Sequence, residues 1–180
     1  MSLIQVNKTI LTSSASTITV TGIDDDSDYI FTVSNMFVSS SSDIKMRFTV
    51  GGSADSSSLY YSRQYIMYHD TSHGTSIQSA TNNIDLSQAV GTTYDNGFAM
   101  IGYLYGFNNT SRYATAVYHN SHRNLSLNRF ASIKGATMLK ETDAKDGIYF
   151  YVGGGSANFD SAEVVLYKVV WDECKKTIWK

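Results

Sequence analysis

Apolar and polar residues alternate with a period of two along most of this chain, the spacing that sends successive side chains to opposite faces of a β-strand. The cleanest case is Ile44 to Val50. There Ile44, Met46, Phe48 and Val50 face one way, while Lys45, Arg47 and Thr49 face the other. That pattern predicts a half-buried strand with a wet outer face. A longer stretch organises the rest: Asp146 to Trp171, DGIYFYVGGGSANFDSAEVVLYKVVW. Ile148, Phe150 and Val152 share one face, and Val164, Leu166 and Val170 share another. Gly153, Gly154 and Gly155 lie between them and supply the backbone freedom of a tight reversal. The reading is a β-hairpin that closes one face of a sandwich.

Elsewhere the same period marks further strands. Residues 1–12 form either a first strand or an arm that pairs on assembly. Thr17 to Thr21 alternates with Ile18 and Val20 inward, and Tyr29 to Val38 places Tyr29, Phe31, Val33 and Phe37 on one side. Leu59 to Tyr68 carries tyrosines on both faces, as in a strand whose outer face is covered. From His69 to Tyr94 the period dissolves, which is the mark of a functional loop or of short irregular strands. Phe98 to Tyr105 resumes the alternation with small residues at Ala99 and Gly102. Tyr113 to Tyr118 follows, with a turn expected at His119 to Arg123. Leu125 to Leu139 reads as one or two strands broken at Gly135.

Helical periodicity is missing apart from one turn allowed at Asp172 to Lys176. About eight to nine strands with turn punctuation predict an all-β fold, a single antiparallel β-sandwich of jelly-roll type. Its parts are an N-terminal strand or assembly arm (1–12), the sandwich domain (13–171) and a C-terminal tail (172–180) that serves as a docking peptide. No internal repeat is present, which disfavours propellers and solenoids.

Composition adjusts this picture in a few respects. A chain of 180 residues suits one domain with a full sandwich core. Charged residues make up 17% of the chain, below the quarter or so that is usual, and Ser, Thr, Asn and 13 Tyr carry the polarity instead. The net charge is −2 and the cations are scattered, which argues against nucleic acid as a partner. No apolar run approaches the roughly 20 residues of a membrane helix, so no membrane insertion is expected. The N-terminus lacks the pattern of a signal peptide. One cysteine, Cys174, leaves a free thiol or an intermolecular bridge.

Candidate chemistry is thin. His69 and His73 bracket one segment, and His119 and His122 another. With Asp70 they would ligate zinc or nickel if the two segments met, but loop histidines diverge by default, so no metal is assigned. Asp24, Asp26 and Asp28 alternate like the first ligands of a calcium loop. Tyr29 and Asn35 then stand where that loop needs Gly and Glu, which leaves a solvated turn. No Gly-x-Ser-x-Gly elbow is present, and the three glycines precede no phosphate-binding helix. Carboxylate pairs for glycoside cleavage meet only in three dimensions. With Glu141, Glu163 and Glu173 the only glutamates, no enzymatic role and no cofactor are expected. The tyrosines remain: Tyr60, Tyr61, Tyr65, Tyr68, Tyr94, Tyr103, Tyr105, Tyr113 and Tyr118. They exceed what one small core takes, and their amphipathic rings suit an interface or sugar stacking. Tyr60 and Tyr68 are the partner-binding candidates among them.

The ending SANFDSAEVVLYKV (Ser156 to Val169) resembles the closing strand of jelly-roll modules in tailed-bacteriophage virion proteins, with Leu166-Tyr167-Lys168 where that family often has Leu-Tyr-Gly. Tyr29-Ile-Phe-Thr-Val is similar to the family's early strand after an acidic turn. Ile44 to Tyr65, IKMRFTVGGSADSSSLYYSRQY, is similar to its strand, glycine turn and tyrosine-bearing strand. Order and spacing agree over most of residues 17–170. The resemblance implies a non-enzymatic building block of a virion, made in the host cytoplasm. It would be homotrimeric and attached to other virion proteins of capsid or tail, as a decoration or tail-fibre module. A lectin-like domain that recognises host surface glycans through loop Tyr, Asn, Asp and His residues is the alternative. Trp171, Ile178 and Trp179, beyond the last strand, are the expected docking residues.

Overall fold

The computed structural model describes residues 1–92, 97–154 and 156–171. Its strands are β1 (Ser2–Leu11), β2 (Thr17–Thr21), β3 (Tyr29–Val38), β4 (Asp43–Val50), β5 (Ser53–Ala54), β6 (Tyr60–Tyr68), β7 (His73–Thr81), β8 (Ile84–Asp85), β9 (Phe98–Tyr105), β10 (Thr115–Asn124), β11 (Arg129–Leu139), β12 (Gly147–Gly153) and β13 (Phe159–Val170). They form an antiparallel β-sandwich, as the alternation predicts. One sheet of eight strands runs β1-β13-β3-β9-β10-β11-β6-β7, and one of five holds β2-β12-β4-β5 with β8 also on β4. No helix occurs among the described residues. Tyr94, Cys174, the expected turn at 172–176, and Ile178 and Trp179 lie outside the described residues.

The core fills the space between the sheets. From the large sheet it takes Tyr29, Phe31, Phe98, Leu104, Val164 and Leu166; from the small one, Ile18, Val20, Met46, Phe48, Ile148 and Phe150. Phe31 and Phe150 meet across the gap with ring centroids 6.1 Å apart. Burying one such aromatic side chain is worth about 1.5–3 kcal/mol, so these pairs hold the layers together.

Several expectations are corrected. Gly147–Gly153 and Phe159–Val170 are not a hairpin. β12 pairs with β2 and β4 in the small sheet, and β13 with β1 and β3 in the large one. Each run has one apolar face, and both faces enter the same core from opposite sides. Gly154, directly after β12, has a φ of 83°, and β13 then lies in the opposite sheet. In β3 the ladder slips between Val33 and Met36, where Asn35 takes a φ of 51°. That bulge puts Met36 and Val38 into the core cluster in place of Phe37. β10 runs straight through His119 to Arg123, where a turn was expected, and β11 runs straight through Gly135. Gly135 marks a close approach rather than a break, because Tyr118 occupies the space a side chain there would need. Val50 is exposed rather than inward.

The described residues hold thirteen strands, against the eight or nine predicted. β5 and β8 are two-residue pieces. β7 lies at the edge of the large sheet with neither face buried, so it had no apolar period to reveal it. Residues 2–11 form an edge strand on β13.

Candidate functional site

The outer face of the large sheet is the most distinctive surface. Across β9, β10, β11, β6 and β7 the register aligns Ile101, His119, Lys134, Tyr65 and Thr75 in one row. The next row holds Tyr103, Val117, Ala136, Arg63 and Ile77. Within each strand these positions alternate with the core-facing ones, so the pleat points them away from the core. Gly135 and Ala136 on β11 are small, so the larger side chains around them enclose a concavity of about 570 Å³. Its wall is largely apolar, with Ile101, Tyr103, Val117 and Tyr65 all exposed. Arg63 and Lys134 supply positive charge, neither is paired with a carboxylate among the described residues, and no lining residue is acidic. Beyond the concavity the apolar surface continues to Ile77, 68% exposed, and to Tyr105.

Of the residues expected to bind partners, Tyr60 is corrected outright. Its side chain is fully buried, and its ring packs edge-on against Phe48 at 5.5 Å. The Tyr60 hydroxyl accepts from the Phe48 amide and donates to the Asp55 carbonyl. Burial pushes the phenol well above its ordinary pKa. Tyr118 is likewise a core residue, its hydroxyl accepting from Gln64 Nε2 at 2.7 Å. Tyr68 is half-buried with the Arg129 guanidinium 5.8 Å over its ring. Trp171 stands at the end of β13 and is 63% exposed.

The four histidines are not brought together. His69 accepts from the Phe130 amide in the β6–β7 turn, His73 lies 5.8 Å from the Tyr65 ring, and His119 meets Ser132 Oγ at 2.7 Å. His122 sits three positions from His119 on a strand, so it points the opposite way, into the protein. There it is buried against Phe98, and its Nδ1 has no partner among the described residues. Desolvation lowers its pKa to about 4, only partly opposed by a hydrogen bond that the ring donates to the Gln88 backbone. Among the described residues no group of three His, Cys, Asp or Glu could hold a metal ion. In the acidic turn the carboxylates are engaged separately. Lys168 chiefly holds the Asp25 carboxyl far below the usual range, Tyr29 also donates to it, and Asn109 donates to Asp26.

A second constellation lies at one end of the sandwich and had no signature in sequence. Lys145, in the loop before β12, is fully buried. Its Nζ stands 2.8 Å from Asp55 Oδ2 and 3.2 Å from Glu141 Oε2. Asp55 comes from the loop after β5, far away in the chain, which is why spacing could not reveal the cluster. Phe48 and Phe107, with ring centroids 4.5 Å apart, form an aromatic wall together with Tyr60 on the same end of the core. Burial would raise the Asp55 carboxyl, but hydrogen bonds from Lys145 and Ser57 outweigh it and hold the pKa low. Glu141 is shifted upward, first by burial and then by its hydrogen bond with Asp55.

No protein-family model matches the chain, and no curated protein matches it. Among solved structures, a fructofuranosidase from Schwanniomyces occidentalis complexed with fructosylnystose is similar at a TM-score of 0.26 and 7% identity. That likeness covers 93% of this chain and 34% of the other. A structure of the infectious bursal disease virus Gx strain is similar at a TM-score of 0.13 and 11% identity, over 98% of this chain and 42% of that one. This chain therefore spans well under half of either, and likenesses this slight carry no part of the argument.

Proposed function

We propose that this chain is a non-enzymatic structural or accessory component of a bacteriophage virion. In this reading it is a jelly-roll module that assembles with copies of itself, as a homotrimer, and attaches to capsid or tail proteins. The phage assignment rests on the resemblance over residues 17–170. The assembly role rests on one observation: Ile101, Tyr103, Tyr105 and Val117 stand side by side, each 40–44% exposed, on the outer face of the large sheet. Apolar surface that is continuous across neighbouring strands is costly to leave in water and marks an interaction surface. Sedimentation of the full chain over a range of concentrations tests the assembly role. The expected species is a trimer, which Val117→Lys or Tyr103→Glu turns into a folded monomer. A wild-type chain that stays monomeric at every concentration overturns it.

A second reading is favoured by the charge of the same face. Arg63 and Lys134 flank an aromatic concavity with no acidic residue in its lining. Such a surface suits a glycan that carries carboxylate or sulfate groups, its sugar rings stacking on Tyr103 or Tyr65. Binding to acidic oligosaccharides on a glycan array should fall more than tenfold in Arg63→Ala/Lys134→Ala. Binding untouched by that pair of changes removes this reading and leaves the first in place.

A further inference from the structure

We propose that Lys145 and Asp55 join through an intramolecular amide bond in the folded protein, with Glu141 carrying the protons. Nζ of Lys145 lies 2.8 Å from Asp55 Oδ2, close to the approach an amine needs to reach the adjacent carboxyl carbon. Both partners are held from the backbone. The Lys145 amide donates to the Phe107 carbonyl at 2.7 Å, and the Asp55 carbonyl accepts from Tyr60 Oη at 3.2 Å. The lysine side chain has no exposure and that of Asp55 only 8%, so water does not compete at the reacting atoms. A buried ion pair keeps a desolvation cost that a neutral amide lacks, and expelling water from a dry site favours condensation.

The step balances without any added reagent. The Lys145 ammonium gives one proton to the Asp55 carboxylate, leaving an amine and a carboxylic acid. The nitrogen lone pair attacks Cγ of Asp55, and the C–N bond forms as the carbonyl electrons move to oxygen. Glu141, 3.2 Å from Nζ, protonates the departing hydroxyl, and the C–O bond breaks to release one water. The Glu141 carboxylate then takes the remaining surplus proton from nitrogen and is regenerated. The upward shift of Glu141, caused by burial and then by Asp55, keeps the needed proton on it nearer neutral pH. The product ties the loop after β5 to the loop before β12.

Intact mass spectrometry of the full-length protein reads the outcome directly. The expected mass is lower than the sequence mass by one water, and proteolysis should yield one branched peptide that joins the Lys145 and Asp55 segments. Lys145→Met and Asp55→Ala should each restore the full mass. Glu141→Gln should leave the unlinked form in excess in freshly made protein, with a circular dichroism spectrum like the wild type. A succinimide at Asp146-Gly147 would also lose one water, and peptide mapping separates the two because it yields no branch. Wild-type protein at full mass, or a loss that maps only to Asp146-Gly147, overturns the proposal whether or not the variants fold.

Discussion

Tyr118 fills the space above Gly135 on the neighbouring strand, and a Cβ built at Gly135 would lie 2.5 Å from the ring carbon Cζ. The ring cannot retreat without losing its contact with Gln64. Gly135→Ala should therefore cost about 1–3 kcal/mol, as overpacking does, read as a lower urea midpoint at unchanged slope. His122 on the same strand makes a prediction about acid. Its folded pKa is lowered to about 4 from an ordinary 6.5, so between those values the unfolded chain binds more protons than the folded one. Stability contributed by the neutral imidazole is complete above pH 6.5 and is lost as pH falls to 4. The full loss is about 3 kcal/mol at 1.36 kcal/mol per pKa unit. Urea unfolding of wild type and His122→Leu at pH 7 and 4.5 checks this: the wild type should lose the larger share of its stability. Equal losses would mean that the buried imidazole is not the acid-sensitive group.

At the scale of elements, the bulge in β3 decides which side chains reach the core. Asn35 holds a φ of 51°, a conformation that Asn and Gly adopt far more readily than a β-branched residue. Asn35→Gly should leave stability within a few tenths of a kcal/mol. Asn35→Val should cost about 1–2 kcal/mol and loosen Met36 and Val38, seen as faster hydrogen exchange at those amides. Bulges of this kind also explain where alternation misleads. β2 and β9 were legible because each buries one face and keeps strict phase. Phe37 was misassigned because a single extra residue inverts every side chain beyond it. Gly135 resembled a break because a missing side chain reads alike for a turn and for a close approach. β12 and β13 resembled a hairpin because period two records which face is buried but not which sheet does the burying. For the same reason Tyr60 looked like an interface residue. The Lys145 cluster and the paired rows of the outer face were illegible, since both depend on register between strands remote in sequence.

The whole molecule is closed by its last strands. β13 lies between β1 and β3, and β12 lies between β2 and β4, so the first four strands pair with one another only through the end of the chain. Neither sheet can be completed until residues 146–171 are in place. Chains that rely on such non-local pairing meet the full loop-closure cost before any ladder rewards it. A fragment of residues 1–145 should accordingly lack a cooperative unfolding transition, although β9, β10, β11, β6 and β7 keep their contiguous ladders. Adding a peptide of residues 146–171 should restore the transition and the near-ultraviolet signal of the packed aromatics, with Phe150→Ala in the peptide abolishing the rescue. Phe150 is the discriminating change because it meets Phe31 across the sandwich and has no exposure of its own. A fragment of 1–145 that unfolds cooperatively unaided would show that the long ladder folds independently, and that β12 and β13 merely complete it.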